Sequence, residues 1–359
     1  MGSDRDRSGD TPRVGIISLF GLYNYGNRLQ GYAVDSILKS LGMRPTTIVL
    51  YRKLGLSVLK SRVMAASAQI RSGSLEATRQ RRFQQFVAPQ HVEYVMLPTQ
   101  IAGLHRRYDW FVAGSDQVWH PRADLYPGTK LLEFARPSQR IALAPSFGVT
   151  ELNSREMESY RAALDGFDHL SARERAGADL LKEITGTKPP VLADPTIGLA
   201  HDQWEKVARS GARPDDRYVL LYFLGGVREQ HRETVNRVAV HLRAKIIDLT
   251  DRSSPFWASG PQDFLSLIHG AQLVLTDSYH ASIFATIFEV PFYVFHRNEE
   301  VSTYSRIATL LKMLGLEGRE STDLREETLL DQDFAATRRA LQEQSVRLLS
   351  FMRKSIADG

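Results

Sequence analysis

Short apolar runs alternate along the chain with segments of helical spacing, and polar clusters mark each change from one to the other. Runs at 14–19, 46–51, 110–113 and 141–144 predict strands, being short, rich in β-branched and aromatic residues and bounded by turn formers. Helical periodicity over 28–41 and 154–164 separates them, with Gly42 placed as a stop signal for the first helix. Residues 169–184 read as a further strand-turn-helix, and 191–196 as a short run ending in a turn, with a short helix around 203–208. A polar, proline-containing stretch at 213–217 has the character of a linker. The alternation then resumes: strand 218–224 closed by Gly225-Gly226, helix 229–242, strand 245–249, helix 264–269 and strand 273–276. Residues 334–356 return to helical spacing through Leu341, Val346, Leu349 and Phe351. Such alternation predicts α/β architecture with parallel sheets, and 359 residues are long for one core. The expected division is an N-terminal Rossmann-like domain over 13–185, a C-terminal one over 186–333, and a C-terminal helix over 334–359 returning to the N-terminal domain. Ligands are expected at the carboxyl ends of the strands, in a cleft between the two halves.

Composition narrows the classes. The hydrophobic share of 43% and charged share of 24% are ordinary for a globular chain, and no apolar run is long enough to span a bilayer. Residues 1–12 are polar without an apolar core, which reads as a disordered leader and not a secretory signal. The absence of cysteine excludes disulfides, thiolate metal sites and cysteine nucleophiles, and fits a cytoplasmic protein. The net charge of +5 suits anionic ligands, and it is uneven. Between 52 and 82 lie Arg52, Lys53, Lys60, Arg62, Arg71, Arg79, Arg81 and Arg82, with Glu76 the only acid and Leu56, Leu59, Val63 and Ile70 interleaved. Two readings stand: a solvated helical face, or peripheral contact with anionic lipid headgroups or an anionic acceptor. Nucleic acid is not expected, since no recognition motif accompanies the charge.

Candidate chemistry follows the strands. Across 274–297 an apolar run ends in Thr276, Asp277, Ser278, Tyr279 and His280, then a buried helix, Pro291 and another β-rich run. His280 thereby sits at a helix N-terminus beside an acid and two hydroxyls, where it can act as acid or base or simply cap the helix. Gly21-Leu22-Tyr23-Asn24-Tyr25-Gly26-Asn27 follows the first strand and opens a helix, whose free amides suit an anion or a sugar hydroxyl. It lacks the G-x-G-x-x-G pattern, so no nicotinamide or flavin cofactor is expected. In Gly114-Ser115-Asp116-Gln117-Val118-Trp119, Asp116 can bind or deprotonate a sugar hydroxyl and Trp119 can stack on a sugar ring; a capping Asp and a core Trp are the alternative. In Ser171-Ala172-Arg173-Glu174, Arg173 offers a planar fork for a carboxylate or phosphate, or pairs with Glu174. Asp194-Pro195-Thr196 reads as a turn. No His/Asp set has metal-ligand spacing.

Taken in order, these elements resemble the polysaccharide pyruvyl transferases. The matching elements are Asn24-Tyr25-Gly26-Asn27, Gly114 to Trp119, Ser171 to Glu174, Asp194-Pro195-Thr196, Thr276 to His280, and Ser305-Arg306 before a helix, together spanning about 14–315. The resemblance implies a GT-B-like fold, two Rossmann-like domains with parallel sheets facing a central cleft. It also implies transfer of a pyruvyl group from phosphoenolpyruvate to a sugar hydroxyl pair of a glycan or lipid-linked precursor, forming a cyclic ketal and releasing phosphate. Phosphoenolpyruvate is then a co-substrate, and no cofactor or metal is expected. The site expected on this basis has His280 and Asp116 at the reaction centre and Arg173, Ser278, Tyr279 and Arg306 on the donor. Asn24, Tyr25, Asn27 and Trp119 are expected on the acceptor. Ser278-Tyr279-His280-Ala281 stands where many members have Arg-Leu-His-Gly; Arg306, Arg297 or Lys312 would supply the missing charge, and Arg306 best fits the family pattern. Two other functions remain compatible: a GT-B glycosyltransferase using a nucleotide-sugar, and a catalytically silent member of a glycan-assembly complex.

Overall fold

Each apolar run pairs with its like as a parallel strand, and the intervening helices cover the faces. The computed structural model describes residues 11–21, 23–50, 74–95, 97–123, 125, 128–297 and 301–358. The first half comprises β1 (Arg13–Ile17), α1 (Tyr25–Ser40), β2 (Arg44–Leu50), α2 (Leu75–Val87), β3 (Val92–Val95), α3 (Pro98–Gly103), β4 (Trp110–Ala113), β5 (Arg140–Ala142), α4 (Ser154–Leu164) and α5 (Arg175–Thr185). Its strands run parallel in the order β3-β2-β1-β4-β5. Single parallel bridges, Ile141 to His169 and Ala172 to Val191, carry the sheet further, so 172–174 and 192–194 emerge at the same edge as the strand ends.

The second half holds α6 (His201–Val207), β6 (Tyr218–Tyr222), α7 (Glu229–His241), β7 (Lys245–Asp248), α8 (Pro261–His269), β8 (Leu273–Thr276), α9 (Tyr279–Ile287), β9 (Phe292–Val294), α10 (Val301–Leu314) and α11 (Phe334–Ala357). Its strands are also parallel, in the order β7-β6-β8-β9. Strand order reverses between β1 and β4 and between β6 and β8, the two places where an open α/β sheet leaves a crevice.

Some elements differ from expectation. α1 begins at Tyr25, three residues early, because the Asn24 side chain accepts from Asn27 N at 3.0 Å and caps the helix. β3 was not foreseen; it is a four-residue edge strand with only Val95 buried, so it carries almost no alternation. Residues 169–172 pair through isolated bridges and form no full strand. Residues 1–10 of the expected leader lie outside the described residues.

The halves share one apolar core. A single cluster joins Val14, Ile37 and Phe83 to Phe264, Phe284 and Leu310, and also takes in Leu348 and Met352 of α11. Tyr25 lies within it, fully buried, its ring stacked on Phe264 (centroids 4.5 Å apart) and on Phe83 (5.3 Å). α11 reaches the first half at the 3-10 turn Pro195–Gly198. A Cβ on Gly198 would lie 2.6 Å from Ile37 Cδ1 and 3.1 Å from Leu348 Cδ2, so α1 and α11 press on the same turn.

The basic run at 52–82 needs correction at its C-terminal end; its residues up to 71 lie outside the described ones. Arg79 is buried and points inward, Nη1 donating to Tyr25 Oη at 2.9 Å and to the Trp257 carbonyl at 2.6 Å, with the guanidinium 4.2 Å from the Trp257 ring centroid. Arg82 donates to the Ala258 carbonyl at 3.1 Å and pairs with Asp263 at 3.3 Å, while Trp257 Nε1 donates to Glu76 at 3.1 Å. These cations tie α2 of the first half to the 255–263 segment of the second, and they are not a lipid-facing or solvated surface. Arg79→Met removes the donor to the Tyr25 hydroxyl and to the Trp257 and Tyr23 carbonyls and is expected to cost about 2–4 kcal/mol in urea denaturation. Arg81→Met, on the exposed side of the same helix, is the control and should change stability by about 0.5 kcal/mol or less. Equal effects from the two would refute the tie.

Candidate active site

The β4 strand ends at Ala113, and the chain turns through Gly114 and Ser115 to Asp116. Asp116 has φ 63°, a conformation that costs a non-glycine residue about 1–3 kcal/mol and is kept where the surroundings hold it in place. They do: Oδ1 accepts from Gln117 N at 2.8 Å and Oδ2 accepts from Asn27 Nδ2. Asn27 Oδ1 in turn accepts from Gly21 N at 3.2 Å, so this amide joins the loops after β1 and β4 across the point where strand order reverses.

Arg173 follows the Ala172–Val191 bridge and has no solvent contact along its side chain. Nη1 donates to Asp194 Oδ2 at 3.0 Å, Nη2 lies 3.5 Å from Asp116 Oδ1, and Nε lies 4.0 Å from Glu174 Oε2. Its flat face sits 4.4 Å from the centroid of the Tyr279 ring, contributed by the second half. Asp194 is itself closed in: Oδ2 also accepts from Ser115 Oγ at 2.8 Å, and Oδ1 accepts from Thr196 N and Oγ1 at 3.1 and 2.9 Å. Glu174 Oε1 accepts from Ser146 Oγ and Phe147 N at 3.0 and 2.9 Å.

From the other sheet, β8 ends at Thr276 and α9 begins at Tyr279, with Ser278 as N-cap. His280 Nε2 lies 3.6 Å from Asp194 Oδ2, an ion-pair distance too long for a hydrogen bond. The other side of the ring meets α1: a Cβ on Gly26 would stand 2.2 Å from His280 Nδ1. Glycine in Asn24-Tyr25-Gly26-Asn27 is therefore required by this approach of the two helices. α10 brings Arg306 to the same place, buried.

Charge follows this geometry. Burial pushes the Asp116 carboxyl up, but Arg173, His280 and Arg306 together outweigh it and hold Asp116 below the ordinary carboxylate range. Burial likewise opposes ionisation of Asp194, and His280, Arg173 and Thr196 N drive its pKa well below that range. For Arg306 the balance runs the other way, since burial and then the like charge of Arg173 push it down to about 10. Arg173 Nε and Nη2, Arg306 Nε and His280 Nε2 are buried nitrogens with no hydrogen-bond partner. Orphaned donors of this kind call for an acceptor, and a bound oxyanion is the acceptor that fits their charge.

Of the expected residues, His280, Asp116, Arg173, Tyr279 and Arg306 come together, and Asn27 joins them by orienting Asp116. Four others are placed differently. Trp119 is fully buried, its indole N–H on the Lys130 carbonyl at 2.8 Å and its ring against Phe147 and Phe167, so it has no face for a sugar. Tyr25 is equally enclosed and its hydroxyl donates to the Ser259 carbonyl at 3.0 Å. Asn24 and Ser278 use their side chains to cap α1 and α9. Arg297 cannot replace an arginine at 278, because Asp277 holds its Nε at 2.8 Å while accepting from Leu224 N and Gly225 N. Asp194, Ser115 and Gly26 are the residues that sequence reasoning left without a role in the site, though the turn motif at 194–196 and the glycine in its helix start hinted at two of them; Glu174, weighed there as a partner of Arg173, lies 4.0 Å from its Nε.

Two outcomes follow. Gly26→Ala should cost about 1–3 kcal/mol in thermal unfolding and shift the His280 ring resonances in NMR; an unmoved His280 would refute the contact. Asp194 and Asp116 have depressed folded-state pKa values, so their contribution is complete above about pH 4, the unfolded carboxylate value, and is lost as pH falls through the lower folded values. Asp194→Asn should therefore flatten the fall of urea-measured stability between about pH 4 and pH 2 by about 1.4 kcal/mol per pH unit. A slope like that of the unsubstituted protein would contradict the assignment.

Solved structures resembling this one include a protein assigned as a UDP-N-acetylglucosamine 2-epimerase from Listeria monocytogenes, with TM-score 0.50 and 11% identity over 94% of this chain and 91% of that one. The UDP-GlcNAc 2-epimerase of Methanocaldococcus jannaschii gives TM-score 0.47 and 17% identity over 93% and 99%. At such identities the likeness is one of fold, and the fold is GT-B-like with two parallel-sheet Rossmann-like domains. No curated protein sequence matches the chain at a significant level. The sequence model for polysaccharide pyruvyl transferases matches residues 24–298, from the cap of α1 to just past Arg297, and the chain belongs to that family.

Proposed function

We propose that the protein transfers the pyruvyl group of phosphoenolpyruvate to two hydroxyls of one sugar in a glycan or lipid-linked precursor, forming a cyclic ketal and releasing phosphate. The observation that carries this reading is the set of unpartnered N–H groups on Arg173, Arg306 and His280 around a buried, ionised Asp116. Phosphoenolpyruvate brings carboxylate and phosphate oxygens, and both would find donors in such a set.

The chemistry balances with these residues. Protonated His280 gives its proton to the methylene carbon, which becomes the methyl group and leaves positive charge at C2. The first sugar hydroxyl adds at C2 and its proton returns to His280. The second hydroxyl displaces phosphate, which carries away the remaining proton. Asp194, ionised, lies 3.6 Å from His280 Nε2 and faces the imidazole through these steps. Asp116 is a weak base because its pKa is depressed; its suited tasks are to accept a hydrogen bond from a sugar hydroxyl and to stabilise charge at C2.

Arg306 is the informative position to change, since removing Arg173 would leave Asp194, Asp116 and Glu174 uncompensated. Isothermal calorimetry should show phosphoenolpyruvate binding to the unsubstituted protein and an about 10–100-fold weaker Kd for Arg306→Gln. His280→Asn should still bind but release no phosphate when acceptor is added. Thermal stabilisation by a nucleotide-sugar and not by phosphoenolpyruvate would overturn this reading in favour of glycosyl transfer.

A further inference from the structure

With Tyr25 and Trp119 in the core, the loop after β1 still offers aromatic surface in Phe20 and Tyr23, both partly exposed. They open on a pocket of about 360 Å³ between that loop, α2 and β3, lined also by Arg28, Gln80, Gln84 and Tyr94. Its volume falls at the small end of ligand sites, roughly 300–1,000 Å³. The lining has a particular character: flat apolar rings beside side-chain amides, which donate and accept together. That is the chemistry of a sugar ring, with an apolar C–H face and a rim of hydroxyls. The rings are held in place, Phe20 by the Arg28 guanidinium 3.5 Å above its centroid and Tyr23 by edge contact with Phe83 at 5.7 Å.

The pocket also points toward the reactive groups. At its inner end Phe20, Arg28, Val87 and Gln90 also border a second, one-water-sized void, which Asn27, Gln30 and Thr47 complete. Gln30 Oε1 and Thr47 Oγ1 are buried there without hydrogen-bond partners. Asn27 donates directly to Asp116, so a path of polar groups runs from the pocket to the carboxylate of the candidate active site.

We infer that this pocket is an acceptor subsite, seating one pyranose ring of the glycan beside the ring whose hydroxyls reach Asp116. The inference rests on the pyruvyl-transfer reading for its purpose but not for its chemistry. Saturation-transfer NMR with methyl glucoside, galactoside, mannoside and N-acetylglucosaminide should show transfer to at least one of them. Gln84→Ala and Tyr94→Ala alter exposed side chains and leave the fold intact; each should weaken that pyranoside by about 3–10-fold. Phosphoenolpyruvate affinity should be unchanged in both. No transfer to any pyranoside, or transfer that neither substitution reduces, overturns the subsite. Pyranoside binding that both substitutions weaken, in a protein that does not bind phosphoenolpyruvate, keeps the subsite and discards pyruvyl transfer.

Discussion

A guanidinium sealed from water must find its counter-charge within a few ångströms, and the burial of Arg173 imposes that demand on everything around it. Asp116, Glu174 and Asp194 answer it from three separate chain crossings at the carboxyl edge of one sheet, and Tyr279 answers from the other half with its ring face. The counter-charge therefore comes from one sheet edge, and the other half closes the flat face of the guanidinium. The same arrangement leaves Nε and Nη2 without hydrogen-bond partners, so the arrangement that stabilises the arginine also keeps two of its donors available.

The ring of His280 is held in the same place by contact on both sides, beside Asp116 and Asp194, the two carboxylates driven toward ionisation. Gly26 bounds it on one flank and Asp194 lies across from the other. The strained backbone at Asp116 belongs to the same pattern, since its carboxylate accepts from the next residue of its own turn and from Asn27 on α1, and these hold a conformation the residue would not choose alone.

The alternation of apolar runs and helical spacing was enough to read two parallel sheets, because strands buried on both faces announce themselves as continuous β-branched and aromatic runs. The order of short polar motifs placed Arg173, His280, Asp116 and Arg306 at strand ends or on the helix that covers them. Burial was the part that could not be read. Trp119 and Tyr25 each follow a strand, where an aromatic can face inward or outward, and only the packing of Phe147 or Phe264 against them decides. Arg79 sat in a basic run whose charge said nothing of direction, and its partners lie far along the chain. Asp194 looked like a turn because its bonds with Thr196 are local, whereas Ser115, Arg173 and His280 reach it from other segments.

The tie made by Arg79 also carries a consequence for how the chain is built. The carbonyl it grips belongs to Trp257, 178 residues downstream. At a synthesis rate of roughly 5–20 residues per second, α2 emerges about 10–35 s before that partner exists. During that interval Arg79 and the aromatic face of Phe83 have no second half to close against. The N-terminal half must therefore wait on the ribosome with this flank open, and α2 locks only when the other domain arrives.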